Sequence, residues 1–376
     1  MSTARIAIVG GGLSGLYAAC LLEQAGYRDY VLLEARDALG GRILSCPVTP
    51  MSSDVDRFDL GATWFWPEFQ PQLDRLIREL GLTSFAQYES GDMLIDRPPA
   101  AHPMRARGYG HRPVAMRLAG GMGALVDALY GRLDPARIMV GQRVRQLHSS
   151  KRYIELKSEN ASGLVSTWHV EHVLLAVPPR LVEDSIAFSP GLPRRLSQSW
   201  RATTTWMAPH AKYFAIYQLP FWREQGLSGE ARSTQGPLGE IHDVSMPDGS
   251  AALFGFFSVP AEVRQGIPDD ALKTRCRVQL SQLFGPQAAT PVAEFVKDWA
   301  LDPYTATSAD LQGVGEHVAT PPVSALSGPW SGRVAGIASE WSPQFPGYVA
   351  GAIDAATLGV KAWLASEQPW MKEERS

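Results

Sequence analysis

Residues 5–42 read RIAIVGGGLSGLYAACLLEQAGYRDYVLLEARDALGGR. Arg5 to Val9 is short, apolar and rich in β-branched residues, which predicts a buried strand. Gly10-Gly11-Gly12-Leu13-Ser14-Gly15 follows at once, and Leu13 to Ala25 carries Leu16, Ala19, Cys20 and Leu22 at helical spacing. A second strand, Tyr30 to Leu33, ends in Glu34, 24 residues after Gly10. This order of strand, glycine turn, helix, strand and acid suits a dinucleotide. Gly10 permits the tight turn, Gly12 lets a pyrophosphate approach the backbone, and Gly15 lets helix and strand pack closely. The helix N-terminus offers free N–H groups and a positive dipole end to phosphates, and Glu34 can bind ribose hydroxyls. The motif by itself leaves NAD and FAD open.

Gly40-Gly41-Arg42 lies just beyond Glu34-Ala35-Arg36. Two glycines then an arginine put close backbone and a fixed cation near a diphosphate, since arginine offers a planar set of donors and stays charged. From Ile6 to Arg42 the sequence resembles the N-terminus of the flavin-dependent amine oxidases, the monoamine and polyamine oxidase superfamily, in which the acid-then-GGR pattern marks FAD. The resemblance implies that Gly10, Gly12, Leu13, Ser14, Gly15, Glu34, Ala35, Arg36, Gly41 and Arg42 bind that cofactor. Asp59-Leu60-Gly61-Ala62-Thr63-Trp64 resembles the family segment that runs along the isoalloxazine ring. It implies Gly61, Ala62 and Thr63 against the flavin, with Trp64 and Trp66 toward the substrate.

The bulk numbers fit this reading. A chain of 376 residues is long for one compact domain and suggests two. It is 45% hydrophobic and 19% charged, and its net charge of −3 gives no reason to expect nucleic acid or an anionic membrane as a partner. Cys20, Cys46 and Cys276 show no metal-ligand spacing, which predicts reduced thiols, no metal site and a cytoplasmic protein. The first strand leaves no room for a leader, and no apolar run approaches the roughly 18 residues of a membrane helix. The polar C-terminus, 371–376, agrees. A monomer or homodimer is expected.

Further along, Phe69 to Leu80 is an amphipathic helix stopped by Gly81. Arg97 to Arg117 reads as a basic loop, with Arg97, Arg105, Arg107, Arg112, Arg117, His102 and His111. It is either solvated or an attractor of an anionic group. Gly120-Gly121-Met122 opens another helix and again resembles the amine oxidases. Short strands are predicted over Met139 to Leu147, Tyr153 to Lys157, Ser166 to Val170 and Val173 to Val177, the last ended by Pro178 and Pro179. Val144 falls where the family places a valine whose backbone meets the adenine.

Lys212 opens the aromatic run Lys212-Tyr213-Phe214-Ala215-Ile216-Tyr217, followed by Pro220-Phe221-Trp222. A buried lysine is costly unless paired or shifted in pKa, and only seven of the 35 basic residues are lysines. A lysine at this distance before PFW resembles the family lysine that holds a water at flavin N5. Trp299 to Ala306, WALDPYTA, resembles another family segment and implies Trp299 at the cofactor. Ser308 stands where monoamine oxidases carry the cysteine that bonds to flavin, so the FAD is expected to be non-covalent. Ala309 replaces one tyrosine of their aromatic cage. Gly332 to Glu340 resembles the closing GTE segment, with Ala338 in the glycine place and Ser339 and Glu340 at the cofactor. Tyr348 matches the remaining cage tyrosine, and the helix from Val349 would turn its positive end toward the flavin.

The expected fold is α/β (α+β overall), a Rossmann-like FAD-binding domain over 1–67, 117–186 and 324–376. It is interleaved with a substrate domain of antiparallel sheet and helices over 68–116 and 187–323. The expected reaction is oxidation of an amine C–N bond, with hydride to flavin N5, hydrolysis of the imine and reoxidation by oxygen to hydrogen peroxide. Lys212, Tyr348 and Trp64 are the catalytic candidates. The partners are a small-molecule amine and oxygen. Three alternatives stand beside it: a renalase-like enzyme oxidising a dihydronicotinamide, a desaturase-type oxidase, and a flavin-binding protein with little turnover.

Overall fold

The computed structural model describes residues 2–49, 55–100, 102–108, 110, 112–247, 249–311 and 320–373, with side chains to 367. His111 and the C-terminal side chains therefore lie outside the described residues. The chain divides into two compact units. The first is Met1–Ile43, Leu125–Trp206 and Gly313–Ser376, and the second is Leu44–Ala124 and Met207–Gln312.

In the first unit Ile6–Val9, all four residues buried, is the centre of a five-stranded parallel sheet. The order is Ile138–Met139, Tyr30–Leu33, Ile6–Val9, His172–Leu175, Val334–Gly336. Strands covered on both sides need no polar alternation, which is why they read as plain apolar runs. The crossover helix Leu13–Gln24 packs on the long helix Val349–Glu373. A second five-stranded sheet, mixed in direction, contains Arg143–Ser149, Ile154–Glu159 and Val165–Val170. The single strand predicted over Met139 to Leu147 is thus two strands in two sheets. Gly141, at φ +64°, turns the chain between them in a conformation open to glycine.

The second unit is built on a seven-stranded sheet ordered Ala293–Asp298, Ala211–Tyr217, Ala251–Phe257, Leu238–Asp243, Leu227–Ser233, Asp92–Asp96, Met104–Arg107. All pairings are antiparallel except Leu227–Ser233 with Asp92–Asp96. One face packs Tyr213, Ala215, Tyr217 and Leu253 with Cys276, Leu280 and Leu283 of the helix Asp269–Phe284. The period of two sends Phe214, Ile216, Ala252 and Phe254 to the other face, where Phe58, Leu60 and Val244 cover them. Residues 44–67, grouped on sequence grounds with the first block, cluster here because Phe58 and Leu60 belong to this core.

The segment expected to be a basic loop contains two strands. Met104–Arg107 pairs with Asp92–Asp96, and Met116–Leu118 pairs with Ser84–Ala86. Met104–Arg107 is a polar edge strand, so no apolar alternation announced it.

Candidate active site

The candidate residues fall into two groups, one within each unit. In the first unit the glycines have different jobs. Gly10 has φ +108°, and a Cβ there would lie 2.7 Å from the carbonyl oxygen of Ala176. A Cβ on Gly15 would run into the carbonyl oxygen of Gly10. Both are demanded by the turn and by helix–strand contact. Gly12 differs: its φ is an ordinary −74°, and a Cβ would find its nearest neighbours, Gly40 O and Gly41 Cα, at 3.8 Å. The fold tolerates a side chain at Gly12, so its lack leaves room at the mouth of the helix. Gly12 is also the N-cap and supplies no side-chain cap to the first-turn N–H groups, which remain for an anion. The hydroxyl of Ser14 is donated to the carbonyl of Ile337, so Ser14 can serve a ligand through its backbone N–H. Leu13 is buried at the same turn.

Glu34 is 3% exposed and is fixed by the loop it faces. Its Oε2 accepts the N–H of Gly11 at 2.6 Å and its Oε1 accepts the N–H of Arg36 at 2.8 Å. Each oxygen keeps a further lone pair for a sugar hydroxyl. Ala35 bridges Glu34 to Arg36, whose guanidinium lies 3.7 Å from the same carboxylate. Gly41, at φ +60°, brings Arg42 round. Arg42 makes a two-pronged ion pair with Glu340, at 2.5 and 3.0 Å, and also donates to Ser339 Oγ at 3.1 Å. This joins residues 298 positions apart in sequence. Ala338 is 3% exposed and its methyl sits in the core with Val334 and Trp341, so alanine is accommodated in the place of the family glycine. Val144 is likewise a core residue, at a bulge in its strand, which leaves its backbone as the part available to a ligand. Tyr348 precedes the helix at Val349 and stacks on Trp206, centroids 6.1 Å apart at 28°. Gly347, at φ +81°, lets Trp206 close in, since a Cβ there would lie 2.5 Å from Trp206 Cβ.

In the second unit Lys212 is 4% exposed. The strand period puts it on the face of Phe214 and Ile216. Its Nζ donates to the carbonyl oxygen of Gly61 at 2.6 Å and to Thr63 Oγ1 at 2.8 Å, with Asp59 O farther off at 3.4 Å. The rings of Phe254, Phe256 and Phe214 surround it at 4.6, 5.2 and 5.9 Å. Burial pushes the amine down to about 7, although Asp59 opposes this. The segment Gly61-Ala62-Thr63 is thus pinned by the lysine. Trp299 pins it again, its Nε1 donating to Leu60 O at 3.0 Å. Trp64 donates to Gln87 Oε1 at 2.8 Å and packs against His242 and Phe254. Ser308 and Ala309 are exposed in a short 3-10 turn closed by Thr307 and Asp310.

Arg97, Arg105, Arg107 and Arg112 of the basic segment are exposed, and Arg117 alone among its described arginines departs from the solvated or anion-attracting reading. It is 2% exposed and donates to the carbonyls of Ser245 and Val244 at 2.9 and 2.8 Å. Sequence reasoning gave no role to Asp59, Trp206 or His242. Asp59 stood inside a motif quoted for its small residues, and Trp206 and His242 sit outside every motif.

Open space beside Gly12, an uncapped helix end, a fixed acid and a fixed arginine together fit a dinucleotide. The family model described as flavin containing amine oxidoreductase matches residues 85–362, and an NAD(P)-binding Rossmann-like domain matches residues 8–80. The chain is 24% identical to a probable flavin-containing monoamine oxidase A of Dictyostelium discoideum, over 93% of this chain and 95% of that protein. It is 24% identical to putrescine oxidase of Kocuria rosea, over 84% of this chain and 87% of that one. Among solved structures, cyclohexylamine oxidase from Brevibacterium oxydans IH-35A shares the fold with a TM-score of 0.79 at 18% identity, covering 97% of this chain and 99% of that chain. A putrescine oxidase bound to putrescine gives 0.77 at 20%, covering 96% and 99%. Among the described residues no helix is long and apolar enough to cross a membrane, and no cluster of side chains could hold a metal ion. The chain belongs to the flavin-containing amine oxidoreductases and is an FAD-dependent oxidoreductase.

Proposed function

We propose that this enzyme oxidises the C–N bond of a small amine, holds its FAD without a covalent bond and passes electrons to oxygen. The observation that carries the reading is the buried Lys212 amine fixed on the Gly61–Thr63 segment, in a chain that belongs to the amine oxidase family. When bound, FAD supplies acceptance of a hydride equivalent from the amine's α-carbon. Gly12, Leu13, Ser14 and Gly15 would hold the diphosphate through backbone N–H groups, and Glu34 the ribose. Arg42, neutralised by Glu340 and hydrogen-bonded to Ser339, contributes directed donors more than net charge. Ser308 cannot form the thioether that a cysteine in its place would.

Lys212 is the proton-handling group. Its weakest contact, to Asp59 O at 3.4 Å, is the N–H most readily given over to a water. An amine pushed down to about 7 can both give and take a proton near neutrality. Trp64, held by Gln87, supplies an aromatic wall for the substrate, and a dry wall favours the neutral amine as reactant. One of the relatives, putrescine oxidase, is named for a small aliphatic amine.

Anaerobic mixing of the yellow protein with a panel of amines, amino acids and dihydropyridines tests this. Bleaching by an amine, and return of colour with peroxide on admitting air, is expected. Bleaching by a dihydropyridine with none by any amine would replace this reading with dihydronicotinamide oxidation.

A further inference from the structure

A second ionisable group lies behind Lys212. Asp59 closes the strand Arg57–Asp59 and is 1% exposed. Its Oδ1 accepts from Ser45 Oγ and, at 2.8 Å, from the N–H of Met122. Its Oδ2 is buried with no partner. Gly121 leaves it space, since a Cβ there would lie 2.5 Å from Oδ1. A buried carboxylate with one bare oxygen depends on nearby positive charge.

Two cations face it. One is Lys212. The other is Arg117, whose guanidinium is committed to the carbonyls of Val244 and Ser245 and lies over the ring of Phe85. Arg117 in turn faces Asp243, which is held by Arg223, by Trp222 and by the N–H of Ser245. Across the sheet from Lys212, Lys297 is paired with Asp302 at 2.9 Å, and the other cross-strand neighbour is Phe256. Asp59 is therefore the anion that acts on Lys212.

We propose that Asp59 is a positioning residue for Lys212: its buried carboxylate holds the lysine as an ammonium directed at Gly61 and Thr63, and so sets the pH at which Lys212 stops donating a proton. The proposal rests on the role given to Lys212 above. Burial drives the two groups in opposite directions, the carboxyl up to about 6, restrained by Ser45, Arg117 and Met122 and then by Lys212, and the amine down to about 7, restrained by Asp59 and pushed further by Arg117. The two groups are thus charged together only in a narrow range near neutrality, and a small change at Asp59 moves the lysine across it.

The test uses the purified yellow protein as wild type, Asp59→Asn, Lys212→Met and the double variant. Asparagine keeps the size of the side chain and an oxygen for Ser45 and Met122. The first readout is the thermal midpoint against pH. Folded Lys212 loses its proton near 7 and the unfolded chain near 10.5, so over that window the unfolded state binds more protons and stability rises with pH. In Asp59→Asn the onset of the rise should move to lower pH by about one unit, the scale of losing a close opposite charge. In the Lys212→Met background Asp59→Asn should cause no such shift. The second readout is the pH profile of turnover, whose Lys212-dependent limb should move by the same amount and in the same direction.

An unmoved onset in Asp59→Asn, or an equal shift without Lys212, overturns the proposal. A moved thermal onset with an unmoved turnover profile keeps the coupling and removes Lys212 from the chemistry, so the two failures are distinct. Ser45→Ala, which takes one donor from the carboxylate and weakens its charged form, is the second variant. It should shift the onset the same way by less, and no shift in it also counts against the proposal.

Discussion

The amine of Lys212 lies 2.6 Å from the carbonyl oxygen of Gly61, 151 residues earlier in the chain. That bond ties the strand Ala211–Tyr217 to the segment expected to meet the flavin ring. Lys212→Met should cut turnover by at least about 100-fold, the low end for losing a general acid–base group, while FAD stays bound. Stability at pH 7 should fall modestly, because removing a buried charge only partly offsets the loss of donors to Gly61 and Thr63 and of a countercharge to Asp59. The rise in stability between about pH 7 and 10.5 that Lys212 provides should disappear. Stopped-flow reduction and reoxidation, and unfolding at several pH values, check these points.

Gly12 and Gly15 should respond oppositely to added atoms. Gly12→Val meets no protein atom closer than ordinary contact at its Cβ, so it should give folded but colourless protein. Gly15→Ala collides with the carbonyl of Gly10 and should lose about 1–3 kcal/mol of stability or fail to fold. Flavin absorbance beside circular dichroism separates the two.

Arg42 and Glu340 form one unit. Glu340 is 3% exposed, so Arg42→Ala strands a buried carboxylate and should cost about 2 kcal/mol, less than a fully buried pair because Arg42 is partly exposed. Arg42→Ala with Glu340→Gln should cost less than the sum of the single changes, with a coupling of about 1 kcal/mol in a denaturant double-mutant cycle.

Arg117→Met removes the donors to Val244 and Ser245 and a countercharge to Asp59. A loss of about 2–4 kcal/mol is expected on denaturant unfolding. The salt dependence of KM should stay as in the wild type, because the guanidinium is already spoken for inside the unit and steers no anion.

What the sequence determined alone is local. Gly10 to Gly15, Glu34 and Gly41-Arg42 were legible because a strand, a turn and a helix at fixed spacing must fold as one unit, and the parallel sheet followed from unbroken apolar runs. Lys212 was legible because a lysine in an aromatic strand is a costly choice. Only the tertiary structure decided what each charge faces. It put Arg117, read as part of a basic loop, against the carbonyls of Val244 and Ser245, and it gave Asp59, read as scenery, a bare buried carboxylate oxygen and the charge of Lys212 nearby. It also drew residues 44–67 into the second unit and broke the run after Met139 into two sheets. Burial and pairing between positions far apart in the chain set the electrostatic state of a side chain, and no local pattern of residues records them.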